Sequence, residues 1–238
     1  ADFLVVNMGA TAIGTGIGAE PGYAEKCVEA MCDITGFKFE LSGDLVGATS
    51  DTSCMVGYSS ALRRVAVKVN KICNDLRLLG CGPRCGLTEF NLPAMQPGSS
   101  IMPGKVNPVI PEVVNQVAFN IIGNDVTITM AAEAGQLELN AFEPIIFYCI
   151  FQSIDTLAYA VRTFVDNCVT GITANETRCR YLVENSVGII TAICPHVGYQ
   201  AAADIAKKAL KTGEPVRDLI IKEGLLTSEV LDAILNPV

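Results

Sequence analysis

The 238-residue sequence has no tryptophan, one histidine (His196) and only 6% aromatic residues. A lone histidine leaves no imidazole set for a structural zinc site. The scarcity of rings hands the interior to Ala, Val, Ile and Leu, as in helix-packed proteins. Basic residues are also few, 17 against 25 acids, for a net charge of −8. That balance argues against nucleic acid, whose binding requires basic patches. No basic-then-apolar leader opens the chain. An uninterrupted span of about 20 apolar residues is missing too. The nearest stretch, "PIIFYCIFQSIDTLAYAV" (144–161), is broken by Gln152 and Asp155 and runs into Arg162. Nucleic acid and membrane are therefore set aside as partners.

What is abundant is aliphatic. Half of the residues are hydrophobic, a large share for a chain that is also 18% charged. Burial of apolar faces between subunits accounts for that excess better than membrane insertion does. Ten cysteines are scattered along the chain, most inside apolar helical patterns, where the thiol acts as a small hydrophobe. The closest pairs, Cys27 with Cys32 and Cys81 with Cys85, miss the C-x-x-C spacing of zinc and redox sites. No metal site is expected, and the thiols are expected to be reduced, in a cytoplasmic protein.

Helical periodicity dominates the rest. Residues 23–36 read as a helix stopped by Gly36. Between Thr49 and Leu79, apolar residues recur at 62, 65, 69, 72, 76 and 79, with Ser50 or Asp51 available as a cap. Gly80, Gly82 and Pro83 cannot continue that helix. A third helix is expected from about 111 to 134, behind Pro108 and Pro111. A fourth, over 142–169, is apolar on most faces and expected to be buried on nearly all sides. Helices this long span about 35–45 Å and predict an elongated all-α bundle. After 171 the pattern shortens to 175–184, 199–212, 215–223 and 227–235, with caps and acids at Asn175–Glu176 and Thr227–Glu229. The reading is a bundle domain over 1–171 and a small helical domain over 172–238.

Two glycine runs imitate nucleotide sites. "GTGIGA" (14–19) fits a dinucleotide fingerprint, yet "EPGY" follows where a helix is required and no βαβ alternation appears. "GSSIMPGKVNP" (98–108) imitates a phosphate-binding loop. Five residues separate Gly98 from Gly104 where four are needed, and Val106 replaces the magnesium-binding hydroxyl. Pro103 also removes an amide from the cradle. What this loop does offer is two serines, a lysine and an asparagine just ahead of a helix N-terminus. The amides, the helix dipole and Lys105 favour a nearby anion, either a serine oxyanion or a substrate carboxylate.

"GSSIMPGKVNP" resembles the signature loop of the fumarase/aspartase superfamily, whose members eliminate a group β to a carboxylate and release fumarate. The likeness extends over "GATAIGTG" (9–16), "KICNDLRLLGCGPRCGLTEFNLP" (71–93), "IGNDVTITMAAEAGQLELN" (122–140) and "ITANETRC" (172–179), in order. "PEVVNQV" (111–117) and "AAEAGQLELN" (131–140) resemble the aspartase branch, while "TAICPHVGY" (191–199) leans towards class II fumarase. A non-catalytic scaffold, like the lens crystallin relatives, is the remaining alternative.

The resemblance implies an all-α long-helix bundle and a serine-based elimination from L-aspartate to fumarate. Carried over by position, Ser99 is the general base that takes the C3 proton. Lys105 and Asn107 hold the substrate carboxylate, Ser100 adds a donor, and Met102 shapes the pocket. Glu112 supports a histidine from another segment. No cofactor is required; Mg2+ activation belongs to some members, and nothing in this sequence locates such a site. The family assembles each active site from three chains of a homotetramer. The Thr-His pair and the Ser/Thr-Asn loop of the family match nothing in this chain. The resemblance thus implies a fragment that is inactive alone.

Overall fold

The apolar steps between Leu62 and Leu79 form one long helix, and Asp51, one of the two caps the sequence offers, bonds to its first residue. In the computed structural model, which describes residues 2–82 and 85–235, a separate short helix precedes it. A short α-helix covers Leu45–Ser50 and a 27-residue one covers Ser53–Leu79. Asp51 lies between them. It is extended (φ −80°, ψ 117°), and its carboxylate accepts the Ser53 N–H at 2.8 Å and the Ser53 hydroxyl at 2.9 Å. Those bonds satisfy donors at a new helix start. The helix ends at Leu79, just ahead of Gly80 and Gly82, as those glycines predict; Pro83 lies outside the described residues.

Contacts divide the chain into two compact units, residues 1–78 with 93–171, and residues 79–92 with 172–238. The first unit holds β1 (Val5–Val6), α1 (Tyr23–Thr35), β2 (Glu40–Leu41), α2 (Leu45–Ser50), α3 (Ser53–Leu79), α4 (Val109–Glu133) and α5 (Glu143–Asn167). β1 and β2 pair in parallel, Val5 opposite Glu40. Gly36, at φ 75°, ends α1 in the left-handed conformation its side chain-free backbone allows. The dinucleotide-like run at 14–19 forms turns with no helix behind it until Tyr23. Gly14 is required there, since a Cβ would lie 2.2 Å from the Val46 backbone.

α4 and α5 are joined by a tight connection at 134–142 and pack side by side. Ile128, Ala131, Ile146, Cys149 and Ile150 form the buried seam between them, with Met55 and Val56 of α3 against it. Ala66, Ala118 and Ile121 make a second cluster between α3 and α4. α5 with the turn after it, Glu143–Gly171, is long and apolar enough to cross a membrane by length and composition, despite Gln152, Asp155 and Arg162. Only 28% of its most apolar window is buried. Burial on nearly all sides therefore fails within this chain, because α5 presents one face to α4 and leaves Tyr148, Phe151 and Tyr159 exposed.

The second unit holds β3 (Phe90–Asn91), β4 (Thr173–Ala174), α6 (Glu176–Glu184), α7 (Ile189–Val197), α8 (Tyr199–Thr212), α9 (Val216–Lys222) and α10 (Ser228–Leu235). Residues 79–92, which the sequence reading leaves with the first domain, fold with this unit through the antiparallel pairing of β3 with β4. Asn175 caps α6 by accepting the Arg178 N–H. Ile193, Ile205, Leu219, Ile220 and Leu231 form its core. All ten cysteines are unpaired.

Candidate active site

The loop before α4 folds back on itself. Pro97 bridges Val106, the Gly98 N–H donates to the Lys105 carbonyl at 2.7 Å, and the Asn107 side-chain amide donates to the Gly98 carbonyl at 3.2 Å. This neck has room only for glycine at 98, where a Cβ would stand 2.7 Å from the Lys105 oxygen. Gly104, at φ +80°, makes the turn that returns the chain to Lys105. The loop then enters α4 without a break. The Val109 N–H donates to Asn107 and the Glu112 N–H to Pro108.

Within the ring, the Ser99 hydroxyl oxygen accepts the N–H of Ile101 at 3.2 Å and of Met102 at 3.1 Å. Donors converging on one oxygen favour its charged form over its neutral form. Lys105 is exposed and has no ion-pair partner among the described residues. Ser99, Met102 and Lys105 line one recess of about 440 Å³, walled also by Met95, Pro97 and Val106. A hydroxyl with two amide donors, beside a lysine, can act on a ligand that carries a carboxylate next to an acidic C–H.

The sequence-predicted residues separate into groups. Ser99, Met102 and Lys105 meet at the recess. Ser100 is exposed and outside it. Asn107 uses its amide to close the neck. Glu112 is partly buried in the first turn of α4. His196 is exposed in the last turn of α7, in the other unit. Among the described residues no three His, Cys, Asp or Glu side chains converge as metal ligands. Sequence reasoning missed the particular backbone groups, the Ile101 and Met102 amides and the Gly98 carbonyl. Gly98 was their only sequence signal.

Residues 3–123, which include the whole loop, match the protein family described as "Lyase", and residues 189–238 match "Fumarase C C-terminus". The chain belongs to this lyase family. An aspartate ammonia-lyase of Pseudomonas canavaninivorans is 56% identical to the lyase-family chain over 232 residues, 98% of this chain and 49% of the relative. Among solved structures, a Brucella melitensis protein described as "fumarate lyase:delta crystallin", bound to cobalt, superposes with a TM-score of 0.91 at 53% identity. It matches 98% of this chain and 50% of that one. A class II fumarase of Schistosoma mansoni superposes at 0.86 with 33% identity, over 98% and 52% of the two chains. The lyase-family chain thus spans about half the length of the curated relatives it matches. The neighbours share its helical architecture.

Proposed function

We propose that this chain is the loop-bearing part of an aspartate ammonia-lyase, which converts L-aspartate reversibly to fumarate and ammonium. The observation that carries the reading is the Ser99 oxygen held by two backbone amides in a recess shared with Lys105. The relatives named aspartate ammonia-lyase point to the substrate.

In the proposed reaction Ser99, as its oxyanion, takes the C3 proton of L-aspartate. The electron pair moves into the adjacent carboxylate, giving an aci-carboxylate with two negative charges. Lys105 stabilises that species more than the substrate, which lowers the barrier. The pair then returns to form the C2–C3 double bond as the C2–N bond breaks. Ammonia leaves and collects the proton from Ser99, so fumarate and ammonium balance the aspartate consumed. Asn107 and Ser100 add donors to the carboxylate, and Met102 limits the shape of what enters. Glu112 steadies a histidine supplied by another segment. None of these steps calls on a cofactor.

The working enzyme is a cytoplasmic homotetramer with each site built from three chains, and this chain alone is inactive. The test is to supply L-aspartate and L-malate separately to the intact enzyme containing this segment and follow fumarate absorbance. Turnover of malate alone overturns the reading in favour of class II fumarase, which the match of residues 189–238 favours as the second reading. Turnover of neither points to a scaffold.

A further inference from the structure

Asn115 lies in α4, one turn beyond Glu112, with its residue 2% exposed. Its Oδ1 accepts from the Arg77 guanidinium at 3.1 Å. Its Nδ2 donates to the Asn70 Oδ1 at 2.6 Å, the Asn74 Oδ1 at 3.2 Å and the Asn70 carbonyl at 3.3 Å. Every partner is on α3. A second polar bridge joins the same helices further along, where buried Asp125 accepts from Ser59 at 2.7 Å and from Arg63 at 2.8 Å. The two pegs are about 15 Å apart along α4 at 1.5 Å per residue. Between them the contact is made by Ala66, Ala118 and Ile121.

Small apolar surfaces tolerate sliding and rotation, whereas a buried carboxamide does not. Turning α4 about its axis leaves Asn115 unpartnered away from water, and that is expensive. The 98–107 loop continues into α4 through Asn107 and Pro108, and its neck is tied to the same segment. We propose that Asn115 is a positioning residue. Through Asn70, Asn74 and Arg77 it locks the first turns of α4 to α3, and so fixes where Ser99 and Lys105 stand. Its catalytic relevance rests on the proposed function, but the positioning itself is measurable without turnover.

The experiment is residue-resolved amide hydrogen exchange on this chain, comparing wild type with Asn115→Leu and Arg77→Met. Exchange is expected to speed up at least tenfold across residues 98–118, while α5 amides stay within about twofold, because the α4–α5 seam is untouched. Arg77→Met, which keeps the Asn70 and Asn74 bonds, is expected to give a smaller local effect. Unchanged exchange over 98–118 in a folded variant overturns the proposal. So does uniform acceleration, or loss of fold in both variants, since either makes the cluster a general stability element. Aspartate turnover in the intact enzyme is a separate arm, so its absence bears on the proposed function and leaves the exchange result standing.

Discussion

A serine hydroxyl is a weak acid, so for Ser99 to act as the proposed base its surroundings must favour the oxyanion. The Ile101 and Met102 amides supply two fixed donors, and the recess places Lys105 on the same side. Ser99→Ala in the intact enzyme is expected to lower kcat by roughly 10²–10⁴-fold, the usual contribution of a general base. The melting temperature should not move, because Ser99 sits in a surface loop; near-normal fumarate production would refute the assignment. The residues were legible because hydroxyl, ammonium and carboxamide are side-chain identities. Their amide partners were not, because every residue except proline carries the same N–H and only the fold decides which ones converge. Buried thiols give a second residue-scale prediction. Burial, then the neighbouring Cys168, pushes the Cys73 thiol from 9.0 up to about 11. A group whose folded pKa is raised contributes fully below its unfolded value and loses that contribution as pH rises through the folded one. Stability is therefore expected to fall between pH 9 and about 11. Urea midpoints across that range should show a shallower fall in Cys73→Ala, and an identical slope would refute the cause.

Among the elements, the α4–α5 connection depends on Asn140, a residue 4% exposed. Its Nδ2 donates to the carbonyls of Ala131 and Ala132 at 3.1 and 3.2 Å, and its Oδ1 accepts the Phe142 N–H at 2.8 Å. It thereby satisfies the last turn of one helix and the entry to the next. Asn140→Ala leaves those groups without partners and is expected to cost about 1–3 kcal/mol. Thermal unfolding checks it, and a change under about 0.5 kcal/mol, the range of ordinary surface substitutions, would sink it. The sequence placed α8 at its observed bounds because Gly198 and Gly213 bracket a clean periodic run. It missed α7, where an unbroken apolar stretch and Pro195 inside the last turn hide the period. It also missed α2, too short to show a period, although it offered Asp51 as a cap for α3.

For the whole chain, the excess of hydrophobic residues finds its place on the outer faces of α4 and α5. Phe119, Met130, Tyr148, Phe151 and Tyr159 are each more than half exposed. Burying one such side chain contributes about 1.5–3 kcal/mol. The isolated chain is therefore expected to self-associate, with a light-scattering mass that rises with concentration; a stable monomer would contradict this. Composition announced that surface, but periodicity could not say what covers it. A helix face that meets its own chain and one that meets another chain have the same apolar spacing. That is why α5 read as buried on nearly all sides when one face meets α4 and others stay exposed.

Because Gly98 is tied to both Lys105 and Asn107, residues 98–107 form a ring whose ends cannot drift apart. Fixing a free backbone costs about 1–2 kcal/mol per residue. Much of that ordering is complete once the chain folds, before any ligand arrives. A ligand reaching the recess meets a loop whose ends are already held together, so less of its binding energy is consumed in quieting disorder.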